Sequence, residues 1–245
     1  LGFSQSSFNQ WYDSSSSNTR YSNPTGLVTK SFRDSTGTLH KIDVMQLRTP
    51  EIVAQARTHF NCPSLNGVDL EEFGGDGSRR SHLEARLFMN ELMTASDGFK
   101  SYADEAVFSQ FTFAALEDSG WYRGNWSMAK NLLWGKNAGC SMVNDRCEQW
   151  ALPDNSGYFC SKKDNSVRHC NFEHTTISYC GITSYSSALE YYEHLAKPTD
   201  GGLVGFMDYC PFPAKYSNLD CRSSGSGTSL EAFGPGSACF NSNLQ

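Results

Sequence analysis

Six histidines carry most of this chain's potential for metal binding or proton transfer: His40, His59, His82, His169, His174 and His194. None of them lies in an HExxH sequence, which on a helix places two imidazoles and a carboxylate on one face. The chain therefore has no self-contained motif for a hydrolytic zinc site. His82 differs from the others by its surroundings, because it follows the glycine-rich run 74–78 and precedes Met93 by eleven residues.

The glycine-rich run has two interpretations. Glycine loops can bind phosphate, but this run lacks the lysine-serine ending and the preceding apolar strand of a phosphate loop, so a tight turn is favoured. Arg79 and Arg80, which follow the run, are either a processing site or an ordinary solvated pair. We favour the solvated pair, because a cut beside His82 would disturb any site built on that histidine.

The other histidines and cysteines also have structural interpretations. His169 and His174 flank Cys170 and suggest a second metal site, but cysteines that are expected to be oxidised favour a structural or surface role. His59 and Cys62 suggest a cysteine hydrolase pair. Adjacency in sequence does not establish a catalytic pair in space, so a disulfide at Cys62 is favoured.

The residues around His82 form part of a longer ordered string. The string comprises Ala56-Arg57, His59-Phe60, Cys62, the glycine run, His82, Glu91-Leu92-Met93, Ala114, Leu116-Glu117-Asp118, Gly120-Trp121-Tyr122, Trp134-Gly135, Asn137-Ala138-Gly139-Cys140, Cys147 and Met207-Asp208-Tyr209-Cys210-Pro211. In this order the chain resembles the leishmanolysin family of zinc metalloproteases over most of its length.

The resemblance implies an α+β fold in two parts. Residues 1–140 would be the C-terminal part of a metzincin-like catalytic domain, mainly helical and with a Met-turn. Residues 141–245 would be a disulfide-rich, loop-rich domain, in agreement with the change to cysteines and turn residues after Trp134.

The resemblance also implies a zinc site that this chain shares with a preceding segment. In this family HExxHxxG is separated from a third zinc histidine by a long insertion. Gly2 matches the motif glycine, His82 the third ligand, and Met93 the methionine beneath the metal. The first two histidines and the catalytic glutamate are expected just before Leu1, so the chain alone is expected to be inactive.

Zn²⁺ is thus the expected cofactor, and protein or peptide substrates and the upstream part of the same protein are the expected partners. Three neutral imidazoles leave a fourth zinc position for water, whose pKa falls to about 7. The glutamate would then take the proton of that water while zinc polarises the scissile carbonyl. The rival hypothesis is a non-catalytic extracellular adhesion or assembly module on the leishmanolysin scaffold, since the chain contains no HExxH.

Cysteine usage indicates the compartment. Seven of the nine cysteines follow residue 145, which favours disulfides and an extracellular or cell-surface location. The odd count leaves a free thiol, or a thiol whose partner lies on another chain or on a part of the protein not present here. No signal peptide is visible at Leu1, so a processed or partial chain is expected.

The resemblance further implies the disulfides Cys62–Cys140, Cys147–Cys210, Cys160–Cys180 and Cys170–Cys239. Cys221 is left over, with a partner expected beyond Gln245. Asn125-Trp126-Ser127 is an acceptable glycosylation sequon, whereas Asn23-Pro24-Thr25 has the forbidden proline.

The sequence predicts some of the helices and strands that must position these residues. Thr49-Pro50-Glu51 predicts a helix start, and apolar residues at helical spacing extend it over 50–60. The sequence also predicts a short strand over 38–47, a helix from Tyr102 to near Gly120, a helix over 186–195 and an exposed loop over 4–26. A net charge of −6 and the lack of a long apolar run argue against a transmembrane segment and against nucleic-acid binding through general positive charge.

Overall fold

A computed structural model describes residues 2–13, 19–95, 105–147, 158–162, 168–223 and 232–240. The chain divides into two compact units. The first comprises Leu1–Asp97, Ala106–Asp145 and Gly205–Met207, and the second comprises Gly98–Glu105, Arg146–Val204 and Asp208–Gln245. The domain boundary at residue 140 stays a prediction, because a compact unit is not by itself a separately folding domain.

The first unit contains five α-helices and five strands among the described residues. In chain order these are α1 (Gln5–Phe8), β1 (Tyr12–Asp13), β2 (Thr19–Arg20), β3 (Thr25–Arg33), β4 (Leu39–Leu47), α2 (Pro50–Phe60), β5 (Val68–Asp69), α3 (Ala85–Phe88), α4 (Gln110–Asp118) and α5 (Cys140–Asn144). Two 3₁₀ turns, Trp126–Met128 and Gly205–Met207, complete it.

The hairpin of β3 and β4 is the longest feature of the first unit. Its antiparallel register runs from Thr25 opposite Leu47 to Arg33 opposite Leu39, and β5 extends the sheet on the β4 side. The predicted strand over 38–47 is confirmed as β4, whereas β3 was not predicted. The mixed α/β fold is confirmed, but the mainly helical character is not, since the chain has 26% strand and 21% helix.

Helix α2 has the predicted bounds, and its start depends on a residue far away in sequence. Pro50 occupies the first turn, where a missing N–H costs nothing. The Asp118 carboxylate, at the end of α4, accepts hydrogen bonds from the Glu51 N–H at 3.0 Å and from the Ile52 N–H at 2.9 Å. The two helices pack together, and Asp118 caps α2 across their interface.

The segment 4–26 was predicted as an exposed loop; residues 14–18 of it lie outside the described residues, and for the rest the prediction is wrong. Phe8 and Trp11 are each only 1% exposed, and their rings meet edge to face with centroids 5.0 Å apart. Four residues of the segment form α1, and its last two begin β3. The abundance of serine and asparagine concealed two aromatic side chains whose burial fixes this stretch against the core.

Helix α4 is shorter than predicted. Ser109 caps it, since its hydroxyl accepts a hydrogen bond from the Phe111 N–H at 3.1 Å, so the helix begins at Gln110. The expected start at Tyr102 lies outside the described residues. Gly120 follows the helix with a φ of +73°, and a Cβ there would lie 2.7 Å from the Tyr12 carbonyl oxygen.

The second unit consists of short strands joined by loops. It contains β6 (His169–Cys170), β7 (Thr176–Cys180), β8 (Ile182–Ser184), β9 (Asp200–Gly202) and β10 (Pro213–Asp220). These form a sheet in the order β10-β7-β6 and the separate pair β8-β9. The helix predicted over 186–195 is wrong, because a single 3₁₀ turn, Glu190–Tyr192, is found there.

Four disulfides cross-link the described residues, one in the first unit and three in the second. They join Cys62 to Cys140, Cys147 to Cys210, Cys160 to Cys180, and Cys170 to Cys239. These are the pairs that the resemblance implies. Cys221 is buried and belongs to none of the four. Among the described helices, none has the length and apolar character to cross a bilayer.

Candidate metal site

His82 stands at the end of a loop whose two ends are held together by backbone pairing. Leu70 and Leu83 form an antiparallel bridge, and the Glu71 N–H donates to the His82 carbonyl at 3.0 Å. Inside the loop the glycine run makes the predicted tight turn, because the Ser78 N–H donates to the Gly75 carbonyl at 2.9 Å. Gly74 has a φ of +82°, and a Cβ there would lie 2.7 Å from the Ser78 Cβ.

The turn fixes the ring of His82. The Nδ1 atom lies 3.1 Å from the Ser78 carbonyl oxygen. A carbonyl only accepts, so Nδ1 carries the proton and Nε2 of the neutral ring keeps its lone pair. An imidazole with one nitrogen bound to a carbonyl is the arrangement in which protein histidines bind zinc.

His82 lines a cleft of about 670 Å³. The walls come from the α1 segment, the β3–β4 hairpin and the glycine turn: Phe3, Ser4, Gln5, Ser6, Asn9, Thr25, Met45, Asp76, Gly77, Ser81 and His82. The Gln5 N–H donates to the Ser81 hydroxyl at 3.2 Å, which ties the first wall to the His82 loop. The side chains facing the cleft are mostly polar and uncharged.

The arginines after the glycine turn anchor this loop to the hairpin. The Nε atoms of Arg79 and Arg80 each lie 3.0 Å from a carboxylate oxygen of Glu72, which also accepts the Met45 N–H at 2.8 Å. The prediction that these arginines are solvated fits Arg79, whose side chain is 52% exposed. It is wrong for Arg80, whose side chain is only 18% exposed.

Gly2 adopts a backbone conformation that favours glycine. Its φ is +83°, and a Cβ there would lie 2.2 Å from the Trp121 ring. The Trp11 indole N–H donates to the Gly2 carbonyl at 3.1 Å. Gly2 therefore turns the chain immediately before Phe3, the first residue of the cleft wall.

Met93 lies beside the backbone that carries His82. The Leu83 N–H donates to the Met93 carbonyl at 2.9 Å, and Leu83 also bridges Thr94 in parallel orientation. The turn that contains Met93 begins after α3, where Met89 has a φ of +42°. The structure thus joins Met93 to the residue that directly follows His82.

Glu91 is the residue of this region whose role the sequence did not predict. It is fully buried, and its carboxylate accepts hydrogen bonds from the Met93 N–H, the Thr112 hydroxyl and the Ser109 hydroxyl. Burial raises the pKa of the carboxyl, and these hydrogen bonds oppose that rise. An acidic residue separated only by Asn90 from the apolar stretch 87–89 was the available signal.

The remaining histidines lie elsewhere. His59 is buried, donates from Nε2 to the Trp134 carbonyl at 2.8 Å, and has its pKa lowered by that burial. Since Cys62 is in a disulfide, the cysteine hydrolase interpretation is wrong. His174 bonds through Nδ1 to the Cys239 carbonyl, in agreement with a structural role. His194 lies near Cys147 and Cys210, but those sulfurs form a disulfide and cannot act as thiolate ligands.

Asn125 is exposed and precedes the 3₁₀ turn Trp126–Met128. The Ser127 hydroxyl donates to the Asn125 side-chain oxygen at 2.7 Å. The sequon therefore lies on an accessible surface of the first unit.

Comparison with known proteins identifies relatives over nearly the whole chain. A family model described as Leishmanolysin (Peptidase_M8) matches residues 1–245. The Leishmanolysin-like peptidase of Drosophila pseudoobscura pseudoobscura is 32% identical over 231 residues, which cover 81% of this chain and 33% of that protein. The Leishmanolysin of Leishmania major is 30% identical over 193 residues, which cover 78% of this chain and 31% of that protein. The chain spans about a third of the length of these relatives.

Proposed function

This chain belongs to the leishmanolysin family, and from that premise we propose that it is part of a zinc-dependent endopeptidase that hydrolyses protein or peptide substrates. The observation that carries the proposal is the geometry of His82. Its Nδ1 proton is held by the Ser78 carbonyl, its Nε2 lone pair is left for a ligand bond, and the residue lines a cleft.

The residues around the site fit a zinc ion. A neutral imidazole is a preferred zinc ligand, and a carbonyl partner on the other ring nitrogen fixes both its tautomer and its orientation. His82 would be the third protein ligand, and the turn at Met93 would be the Met-turn of a metzincin. Gly2 would be the motif glycine that follows the second histidine.

The chain's own residues would hold the zinc ion and position the substrate. Bound zinc would lower the pKa of a water ligand to about 7 and polarise the scissile carbonyl. His82 would hold the ion through Nε2, and the polar cleft wall from Ser4 to Asn9 would face the substrate backbone. The first two histidines and the glutamate that takes the water's proton are proposed to precede Leu1 in the whole protein.

Four disulfides support an extracellular or cell-surface location, since such bonds persist in oxidising compartments. Exposure of Asn125 supports glycosylation at that residue in the same compartment.

Zinc content and proteolysis of the full-length protein test the proposal together. We expect about one zinc per chain and cleavage of a denatured protein substrate. His82→Ala should lose both, while His174→Ala, an exposed histidine in the second unit, should keep both. Full zinc occupancy in His82→Ala would mean that the third ligand is wrongly assigned. Zinc without proteolysis in the wild type would favour the adhesion or assembly hypothesis.

A further inference from the structure

We propose that Glu91 is a positioning residue for the candidate zinc site, where its carboxylate holds the turn that supports His82. The inference rests on the proposed function, because it assigns a role relative to the zinc ligand. It is carried by hydrogen bonds on both sides of the Glu91 side chain and by its complete burial.

One carboxylate oxygen of Glu91 is bound to helix α4. Oε1 accepts a hydrogen bond from the Ser109 hydroxyl at 3.1 Å and another from the Thr112 hydroxyl. Ser109 is the N-cap of α4, and Thr112 lies in its first turn. Because α4 packs against α2, the carboxylate is bound to the helical core of the first unit.

The other carboxylate oxygen of Glu91 is bound to the turn that contains Met93. Oε2 accepts a hydrogen bond from the Met93 N–H, and the neighbouring Leu92 N–H donates to the Val107 carbonyl at 2.9 Å. The Met93 carbonyl in turn accepts from the Leu83 N–H at 2.9 Å. A displacement of this turn would therefore move the backbone that directly follows His82.

Both links depend on the two acceptor oxygens of the Glu91 carboxylate. A buried carboxylate is costly unless its oxygens are hydrogen-bonded, and here the Met93 N–H and the hydroxyls of Ser109 and Thr112 converge on its two oxygens. A glutamine has the same shape but only one acceptor oxygen. If its NH₂ group faced the Met93 N–H, that N–H would lose its acceptor. If it faced the hydroxyl pair, both hydroxyls would have to turn from donors into acceptors and the charge-assisted hydrogen bonds would be lost, so the link between α4 and the turn would be weakened on one side.

Glu91→Gln in the full-length protein tests this inference against a matched control, Asp118→Asn. Asp118 is also a buried carboxylate that accepts backbone N–H groups, but the groups belong to α2 and not to the Met93 turn. The readouts are zinc affinity by chelator competition and the visible absorption spectrum of the cobalt-substituted protein. Thr112→Val, which removes one donor while keeping the side chain's shape, provides a milder variant.

We expect Glu91→Gln to weaken zinc binding roughly tenfold and to alter the cobalt spectrum, while Asp118→Asn changes neither. Thr112→Val should shift both readouts in the same direction by a smaller amount. This variant provides the test if Glu91→Gln does not fold. Zinc affinities and spectra of Glu91→Gln or Thr112→Val that match those of Asp118→Asn would overturn the inference. If the wild-type protein binds no zinc, the proposed function itself fails, and the inference with it.

Discussion

The orientation of His82 depends on a carbonyl only four residues earlier, that of Ser78. Glycines and a tight turn between residues 74 and 78 bring that carbonyl within hydrogen-bond distance of Nδ1. The sequence predicted the turn and, through the family resemblance, the histidine. It did not predict the hydrogen bond, because a side-chain contact of this kind depends on the φ and ψ angles of every residue in the loop.

Gly74 allows a direct test of this loop. Gly74→Ala would place a Cβ in the left-handed region and 2.7 Å from the Ser78 Cβ, whereas Gly37→Ala has a similar φ of +87° and open space around it. In chemical denaturation of the full-length protein, we expect Gly37→Ala to lower the unfolding free energy by about 1 kcal/mol. Gly74→Ala should cost about 3 kcal/mol, because steric overlap adds to the backbone strain. Equal costs for the two variants would contradict the turn described above.

Among the elements, α2 was the most predictable and β3 the least. Thr49, Pro50 and the apolar spacing that follows are local signals, so they specify α2 without reference to the rest of the chain. Strand β3 has Gly26 near its start and mixed polar residues along its length, and it is recognisable only through its pairing with β4. The start of α4 was misplaced because Ala106 and Val107 continue an apolar pattern that Ser109 interrupts as N-cap.

The contact between α4 and α2 predicts a pH dependence of stability. Burial raises the pKa of Asp118 to about 6, although hydrogen bonds from the Glu51 and Ile52 N–H groups oppose the rise. The unfolded state has a pKa near 4, so the folded state binds more protons between these values. The contribution of Asp118 to the unfolding free energy should therefore be largest below about pH 4. It should fall by roughly 3 kcal/mol as the pH rises to about 6.

Denaturation of wild type and Asp118→Asn at a series of pH values between 4 and 7 measures this contribution. The difference between the two unfolding free energies should vary with pH, with the wild type losing stability relative to the variant as the pH rises. A difference that stays constant across the range would contradict a raised pKa of Asp118 in the folded state.

At the scale of the whole molecule, the two compact units are stabilised by different features. The first combines a sheet, packed helices and one disulfide, while the second relies on short strands and three disulfides. The family resemblance implied the cysteine pairs in advance, whereas spacing alone leaves many pairings open. The roles of Asp118 and Glu91 could not be predicted in this way, because each joins residues that are distant in sequence through a buried carboxylate.

The whole molecule is also the scale at which the proposed zinc site would be complete, since this chain spans about a third of its relatives' length and His82 would supply a single ligand. X-ray absorption at the zinc edge of the full-length protein tests this most directly. The predicted ligand set is three imidazole nitrogens and one oxygen at about 2.0–2.1 Å, with the loss of one imidazole or of the metal in His82→Ala. An unchanged set of zinc ligands in that variant would contradict it.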